Sequence, residues 1–304
     1  FENVPADSLR FLAQFCTVRP GAEAVAISQN RISEKQFFTT HGFPCARYAV
    51  IQSRDDIAPA MHQIGLPAII KRSQLGYDGK GQARVNTTDE ALRAFDDMGG
   101  APCVLEELVP LQLEISVILA RGADAQIAVF PVAENQHCNG ILDVTLAPAR
   151  ISDNLAEQAR RIATQLAERL DYCGVLAVEF FVVAGGRLLI NEIAPRPHNS
   201  GHYTLNACMT DQFEQQVRTL CGLPLGDARL LSPAVMVNLL GDLWDASMPP
   251  LQKIGEHVLA CPQAKLHLYG KREPRPGRKM GHYTVIDAKI EHALALALDI
   301  KNTL

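Results

Sequence analysis

The chain has 304 residues, 47% of them hydrophobic and 20% charged, which is enough apolar material for a large core and too much for a disordered chain. Its formal net charge of −4 offers no bulk electrostatic basis for binding nucleic acid or a membrane surface, and no apolar run reaches the length of a membrane span. The 8 cysteines are scattered without CxxC pairs, so neither a zinc site nor a disulfide framework is indicated, and a reducing cytoplasm is the expected setting.

The opening string FENVPADSL, from Phe1, reads as the middle of a longer chain. Residues 8–15 are expected to be helical and residues 24–27 to form a short strand. Arg31 precedes a helix expected to be capped by Ser33 and stopped by Gly42, with Phe37 and Phe38 turned to a core. A buried strand at residues 68–71 leads into KRSQLGYDGKGQ. There Gly76, Gly79 and Gly81 let backbone N–H groups approach an anion, and Lys71 and Lys80 add charge. The spacing is not that of a Walker A loop, and a flexible turn is the plainer alternative.

Thr87, Thr88, Asp89 and Glu90 read as a capping box opening a helix that runs to Met98. A strand at residues 103–108 carries Glu106 and Glu107, and the next is expected to begin at Glu114. An acid at a strand edge can accept hydrogen bonds from an adenine amino group or ribose hydroxyls, or be an ordinary surface acid. Residues 126–149 hold a further strand and then a loop, ENQHCNGILD, with Asn135 and His137. From Asn154 to Leu170 one apolar stripe marks a scaffold helix, with Asn154 and Glu157 at its start.

Residues 174–202, GVLAVEFFVVAGGRLLINEIAPRPHNSGH, are two apolar runs flanking Gly185 and Gly186, the pattern of a hairpin with a two-residue turn. Counting out from that turn places Glu179 opposite Glu192. Opposed carboxylates roughly 5 Å apart repel, and a hard divalent cation such as magnesium, with substrate phosphates, offsets the repulsion. A register one residue out would instead leave two solvated acids on opposite faces. Beyond Glu192 come Arg196, His198, Asn199 and His202, set among prolines and a glycine. A helix over residues 211–221 ends at Gly222, and the Pro- and Gly-rich residues 223–233 mark a boundary. After it, strands near 235–240, 266–269 and 283–286 and a helix over 290–298 are expected. The loop YGKREPRPGRKMGH brings together Lys271, Arg272, Arg275, Arg278, Lys279 and, if protonated, His282. Such a loop suits a phosphate monoester, or is a solvated basic turn.

FENVP, the helix start at Arg31 with Glu34 and Lys35, GYDGKGQ, Glu106 with Glu114, NQHCNGIL from Asn135, NEIAPRPHNSGH from Asn191 and RPGRKMGH from Arg275 occur in an order that resembles the ATP-grasp superfamily. Within it the chain is similar to the 5-(carboxyamino)imidazole ribonucleotide synthetase family. The strings span nearly the whole chain, and the last two are the most specific.

The resemblance implies an α/β (α+β) ATP-grasp fold of two subdomains, residues 31–102 and 103–225, with a small C-terminal β-rich domain at 226–304. Residues 1–30 would be the tail end of a preceding Rossmann-like domain. It implies ATP held at its phosphates by Arg31, Lys71, Gly76, Tyr77, Asp78, Gly79, Lys80, Gly81 and Gln82, at its adenine by Glu106, Glu107, Leu108 and Val109, and at its ribose by Glu114, with His137 and Asn191 lining the site. Glu179 and Glu192 would bind magnesium, and Arg196, His198, Asn199, Lys271 and Arg278 the ribonucleotide. Arg196, Lys71, Glu179 and Glu192 would be catalytic. The implied reaction is ATP- and bicarbonate-dependent carboxylation of 5-aminoimidazole ribonucleotide through carboxyphosphate, in purine biosynthesis, by a cytoplasmic homodimer without nucleic-acid or membrane partners. Another ATP-grasp ligase, such as a formate-dependent transformylase, and a nucleotide-binding module without turnover remain as alternatives.

Overall fold

The computed structural model describes residues 4–74, 81–244 and 250–304. Three helices, α1 (Ala6–Leu12), α2 (Ala22–Ser28) and α3 (Arg31–Thr40), precede the first strand. The strand expected at residues 24–27 is therefore part of α2, because a short apolar run has no periodicity by which to tell strand from buried helix. Asn30, not Ser33, caps α3: its Oδ1 accepts from Ile32 N at 2.9 Å and Ser33 N at 3.4 Å.

A four-stranded antiparallel sheet follows, in the order β1 (Tyr48–Ile51), β4 (Cys103–Glu107), β2 (Ala68–Arg72), β3 (Gln82–Val85). Helices α4 (Ile57–Ile64) and α5 (Thr88–Asp97) pack on it around Ile51, Ile57, Ile70, Phe95 and Leu105. Thr87 caps α5, but Glu90 turns back to Asn86 N at 2.7 Å rather than to Thr87, so the capping box is not closed.

The remaining strands form one nine-stranded sheet. They are β5 (Leu111–Arg121), β6 (Ile127–Val129), β7 (Ala133–Cys138), β8 (Ile141–Ala147), β9 (Gly174–Val183), β10 (Arg187–Ala194), β11 (Ala234–Leu240), β12 (Ala264–Leu268) and β13 (Lys279–Ile286). The order is β10-β9-β5-β7-β8-β11-β13-β12, with β6 on β5. Helix α6 (Asp153–Arg169) covers Val117, Leu119, Leu176 and Val178 on one face, while Tyr203 and Ala207, at the short helix α7 (Thr204–Ala207), cover Ile118, Ala120, Val175 and Ala177 on the other. Alternate residues of β5 and β9 thus enter two different cores, which is why residues 117–120 and 175–178 read as unbroken apolar runs. Ser152, not Asn154, caps α6. Helix α8 (Gln212–Cys221) ends at Gly222 in the left-handed region, as expected, and Asp211 is its cap rather than its first residue.

ENQHCNGILD is not a loop. Its residues form β7 and β8, joined at Asn139 and Gly140 with positive φ of 52° and 78°, the Asn-Gly turn of a tight hairpin. Strand β5 also starts earlier than expected, at Leu111. The C-terminal strands join the large sheet directly: β11 pairs with β8, Ala234 lying opposite Ala147. Helices α9 (Pro250–Leu259), which the sequence reading did not anticipate, and α10 (Ile290–Thr303) pack beneath them.

Candidate active site

The β9–β10 hairpin brings Glu179 and Glu192 face to face by an unexpected route. Val183 pairs with Arg187, so the turn has three residues, Ala184–Gly186, with Gly185 and Gly186 at φ of 78° and 70°. That register alone would set Glu179 opposite Asn191. A β-bulge between Ile190 and Glu192 takes up one residue, and Glu192 then pairs with Glu179 and Ile193 with Val178. The expected two-residue turn and unbroken ladder are both replaced, and the two differences cancel.

The first turn of α3 holds the bulge. Its cap presents Arg31, Glu34 and Lys35, which share a helix face at three- and four-residue spacing. Arg31 Nη1 donates to Glu192 Oε2 at 2.9 Å, Ile193 N donates to Glu34 Oε1 at 2.8 Å, and Lys35 Nζ donates to Asn191 O at 3.3 Å. Just upstream, Ile190 N donates to Pro44 O at 2.7 Å. The bulge is thereby gripped on both sides of Asn191, whose own Oδ1 is buried without a hydrogen-bond partner among the described residues.

Glu106 is buried beside this clamp, with Lys71 Nζ at 2.8 Å and Lys35 Nζ at 3.5 Å. Burial opposes its ionisation, but Lys35 and Lys71 prevail and hold the carboxyl down at about 2. Lys71 is itself lowered, chiefly by burial. Glu106 is therefore not an ordinary surface acid, and Glu107 is engaged too, by Arg47 Nε at 2.8 Å and Arg47 N at 3.0 Å.

The two facing glutamates have different environments. Glu179 is raised above the usual carboxylate range by burial and then by the charge of Glu192, whereas Arg31 and Lys71 outweigh burial at Glu192 and lower it. The Glu192 side chain is 38% exposed, so a ligand can reach it. His198 Nε2 lies 3.3 Å from Glu179 Oε1. Gln212 fixes the main chain of that histidine, accepting from His198 N and donating to His198 O, each at 2.8 Å. On the other flank His137 Nδ1 pairs with Glu114 Oε2; burial lowers the histidine, but that hydrogen bond and the charges of Glu114 and Glu179 raise it overall.

An ATP-grasp domain model matches residues 36–213, and a phosphoribosylaminoimidazole carboxylase C-terminal domain model matches residues 234–296. The N5-carboxyaminoimidazole ribonucleotide synthase of Bacillus subtilis is 42% identical over 93% of this chain and 73% of its own length. The chain belongs to the N5-carboxyaminoimidazole ribonucleotide synthase family. The synthase of Brucella melitensis is 45% identical over 94% of this chain and 77% of its own length. Among solved structures, an ADP complex of an N5-carboxyaminoimidazole ribonucleotide synthetase is 40% identical, with a TM-score of 0.91, and covers 99% of this chain and 78% of its own. The Aspergillus clavatus synthase in complex with ADP and 5-aminoimidazole ribonucleotide is 28% identical, with a TM-score of 0.90, and covers 99% of this chain and 80% of its own. The fold is accordingly ATP-grasp.

The basic loop enters the site at its C-terminal end. Lys279, half-buried at the start of β13, lies near enough to act electrostatically on Glu179, His137, His198 and His202. Lys271 Nζ instead donates to Lys279 O at 2.7 Å, and Arg278 Nη1 to Glu273 O at 2.6 Å, so both brace the loop. His282 is not one of the cations: it is buried and neutral, pushed down to about 2 by burial and by His202, with Tyr269 Oη 2.8 Å from its Nδ1. Asn199 and Asn238 exchange amide hydrogen bonds of 3.0 and 2.7 Å, and Arg196 Nη1 donates to Pro197 O at 3.2 Å. Gly76, Tyr77, Asp78, Gly79 and Lys80 lie outside the described residues; Gly81, at φ 72°, and Gln82, opposite Lys71, follow them.

Glu34, Lys35 and Asn135 carry no role from the sequence beyond their motifs, and Ser116, Ser200 and Asn238 carry none. One signal was present. A sheet covered on both faces reads as apolar throughout, so Ser116 within β5 and Asn238 within β11 had to have partners.

Proposed function

We propose that the chain carboxylates 5-aminoimidazole ribonucleotide at the expense of ATP and bicarbonate, with Glu179 and Glu192 at the centre of the site. The opposition of two carboxylates, Glu179 mostly buried and Glu192 partly exposed, beside Arg31 and Lys71 carries this reading. The pair also fits magnesium: among the described residues no third His, Cys, Asp or Glu completes a metal cage, and magnesium is commonly held by one or two carboxylates with substrate phosphates. Held by Glu179 and Glu192, magnesium would neutralise charge on the phosphates it contacts.

The chain's own groups do the rest. Lys71 gives one hydrogen bond to Glu106 and, with three donors on its ammonium, keeps others for phosphate oxygens. Arg31 likewise uses one of its five donors on Glu192. Residues 106–109, at the end of β4 and just beyond it, meet adenine, with Glu114 at the ribose beside His137. A bicarbonate oxygen attacks the γ-phosphorus as the bond to the β–γ bridging oxygen breaks, giving carboxyphosphate and ADP. The exocyclic amine of the ribonucleotide then bonds to the carboxyl carbon, phosphate leaves and the amine gives up a proton. Arg196 steadies the anionic intermediate with paired donors that stay charged. Asn199, Lys271 and Arg278 hold the ribonucleotide, and Lys279 joins them by its place at the mouth of the loop. On the family resemblance the protein works in the cytoplasm as a homodimer.

The test is phosphate release from ATP with bicarbonate, in the presence and absence of the ribonucleotide. Ribonucleotide-dependent release with bicarbonate supports the reading. Release only with formate would make the chain a transformylase, and ATP binding without release a binding module.

A further inference from the structure

His198, placed by sequence resemblance among the ribonucleotide contacts, sits at the end of a buried hydrogen-bond chain that crosses the large sheet. Its Nδ1 is 3.3 Å from Ser200 N, a backbone donor, so Nδ1 accepts and carries no proton. Ser200 Oγ, 2.9 Å from the same Nδ1, must then donate to it, and so can only accept from Ser116 Oγ at 2.8 Å. Ser116 Oγ in turn accepts from Asn135 Nδ2 at 2.9 Å. That orients the amide, and Asn135 Oδ1 accepts from Thr145 Oγ1 at 3.1 Å. Thr145, Asn135, Ser116 and Ser200 are all buried. Every link donates toward His198, and the remaining Nε2–H faces Glu179 Oε1 at 3.3 Å.

We propose that Thr145, Asn135, Ser116 and Ser200 are positioning residues that act through His198 to fix the orientation of Glu179. Buried hydrogen bonds polarised in one direction reinforce one another, and a carboxylate that ligates a metal needs such an outer partner to hold its geometry. The chain runs from β8 through β7 and β5 to β9, so it also ties the orientation of Glu179 to the register of four strands. This inference rests on the magnesium reading above.

The experiment is calorimetric titration with ATP, with and without magnesium, of the unaltered chain and of Ser116→Ala, Ser200→Ala and the double variant, each confirmed as folded by thermal unfolding. The worth of one hydrogen bond predicts about a fivefold to tenfold loss of ATP affinity in magnesium for each single variant, and no change without magnesium. Because the links act in series, the double variant should lose no more than the worse single. Additive losses, equal losses with and without magnesium, or unchanged magnesium-dependent affinity in the folded single variants would each overturn the proposal. The imidazole 15N shifts of His198 provide a second reading: a single Nε2–H tautomer is expected in the unaltered chain, and a protonated Nδ1 would refute the assigned direction. If the unaltered chain binds ATP equally with and without magnesium, the magnesium reading itself fails, and the inference with it.

Discussion

Glu192 stands opposite Glu179 because Asn191 is bulged out of the ladder between β9 and β10. The pair is asymmetric, since Arg31 reaches Glu192 and no arginine or lysine hydrogen-bonds to Glu179 among the described contacts. Glu179→Gln removes a like-charge repulsion and should leave thermal stability unchanged or raised. Glu192→Gln takes the partner from a partly buried guanidinium and should cost about 1.5 to 3 kcal/mol, the worth of a charged hydrogen bond. Both should abolish most magnesium-dependent ATP turnover. Equal melting shifts in the two variants would show that the Arg31 contact contributes nothing to folding.

Lys35 is fully buried between Glu106 and the Asn191 carbonyl. Lys35→Met leaves Glu106 with Lys71 as its one ion-pair partner among the described residues and should destabilise by about 3 to 5 kcal/mol, as removal of one member of a buried charge group does. Adding Glu106→Gln should recover part of that loss. Denaturant unfolding of the two singles and the double gives the coupling; a double variant as unstable as the sum of the singles would count against a shared cluster.

Among the described residues the Arg278 guanidinium donates within its own loop, to Glu273 O. Arg278→Ala should therefore leave the melting temperature in place while raising the Michaelis constant for the ribonucleotide about tenfold to a hundredfold, the loss of one charge-assisted contact. The constant for ATP should not move. A parallel rise in both would show that Arg278 does not act on the ribonucleotide.

His202 and His282 are pushed down to about 3 and about 2, in each case chiefly by burial. Both are neutral in the fold, while in the unfolded chain they take up protons below about 6.5. Above that pH they contribute no pH dependence. Below it the unfolded state binds more protons, so stability falls, by on the order of 2 kcal/mol per histidine at pH 5. His282→Phe should flatten the acid limb by about one such step, measured as unfolding free energy between pH 7 and 5. An unchanged slope would show that His282 keeps its proton in the fold.

The sequence determined by itself what local rules govern. The stripe of α6, the Gly222 stop of α8, and the hairpin carrying two glutamates all follow from residues a few positions apart, and the ordered motifs pointed to the ATP-grasp family. The opposition of Glu179 and Glu192 was also foreseen, although through two errors of one residue that cancel. Only the tertiary structure decided why that opposition holds. Glu34 and Lys35 grip β10 from 159 and 156 residues away, and the histidines of the C-terminal strands lose their charge by burial in a sheet begun at β5. A bulge depends on what packs beside it, and a proton affinity on the water excluded around it. Neither is written in the spacing of neighbouring residues, because both are set by contacts that exist only once the chain has closed.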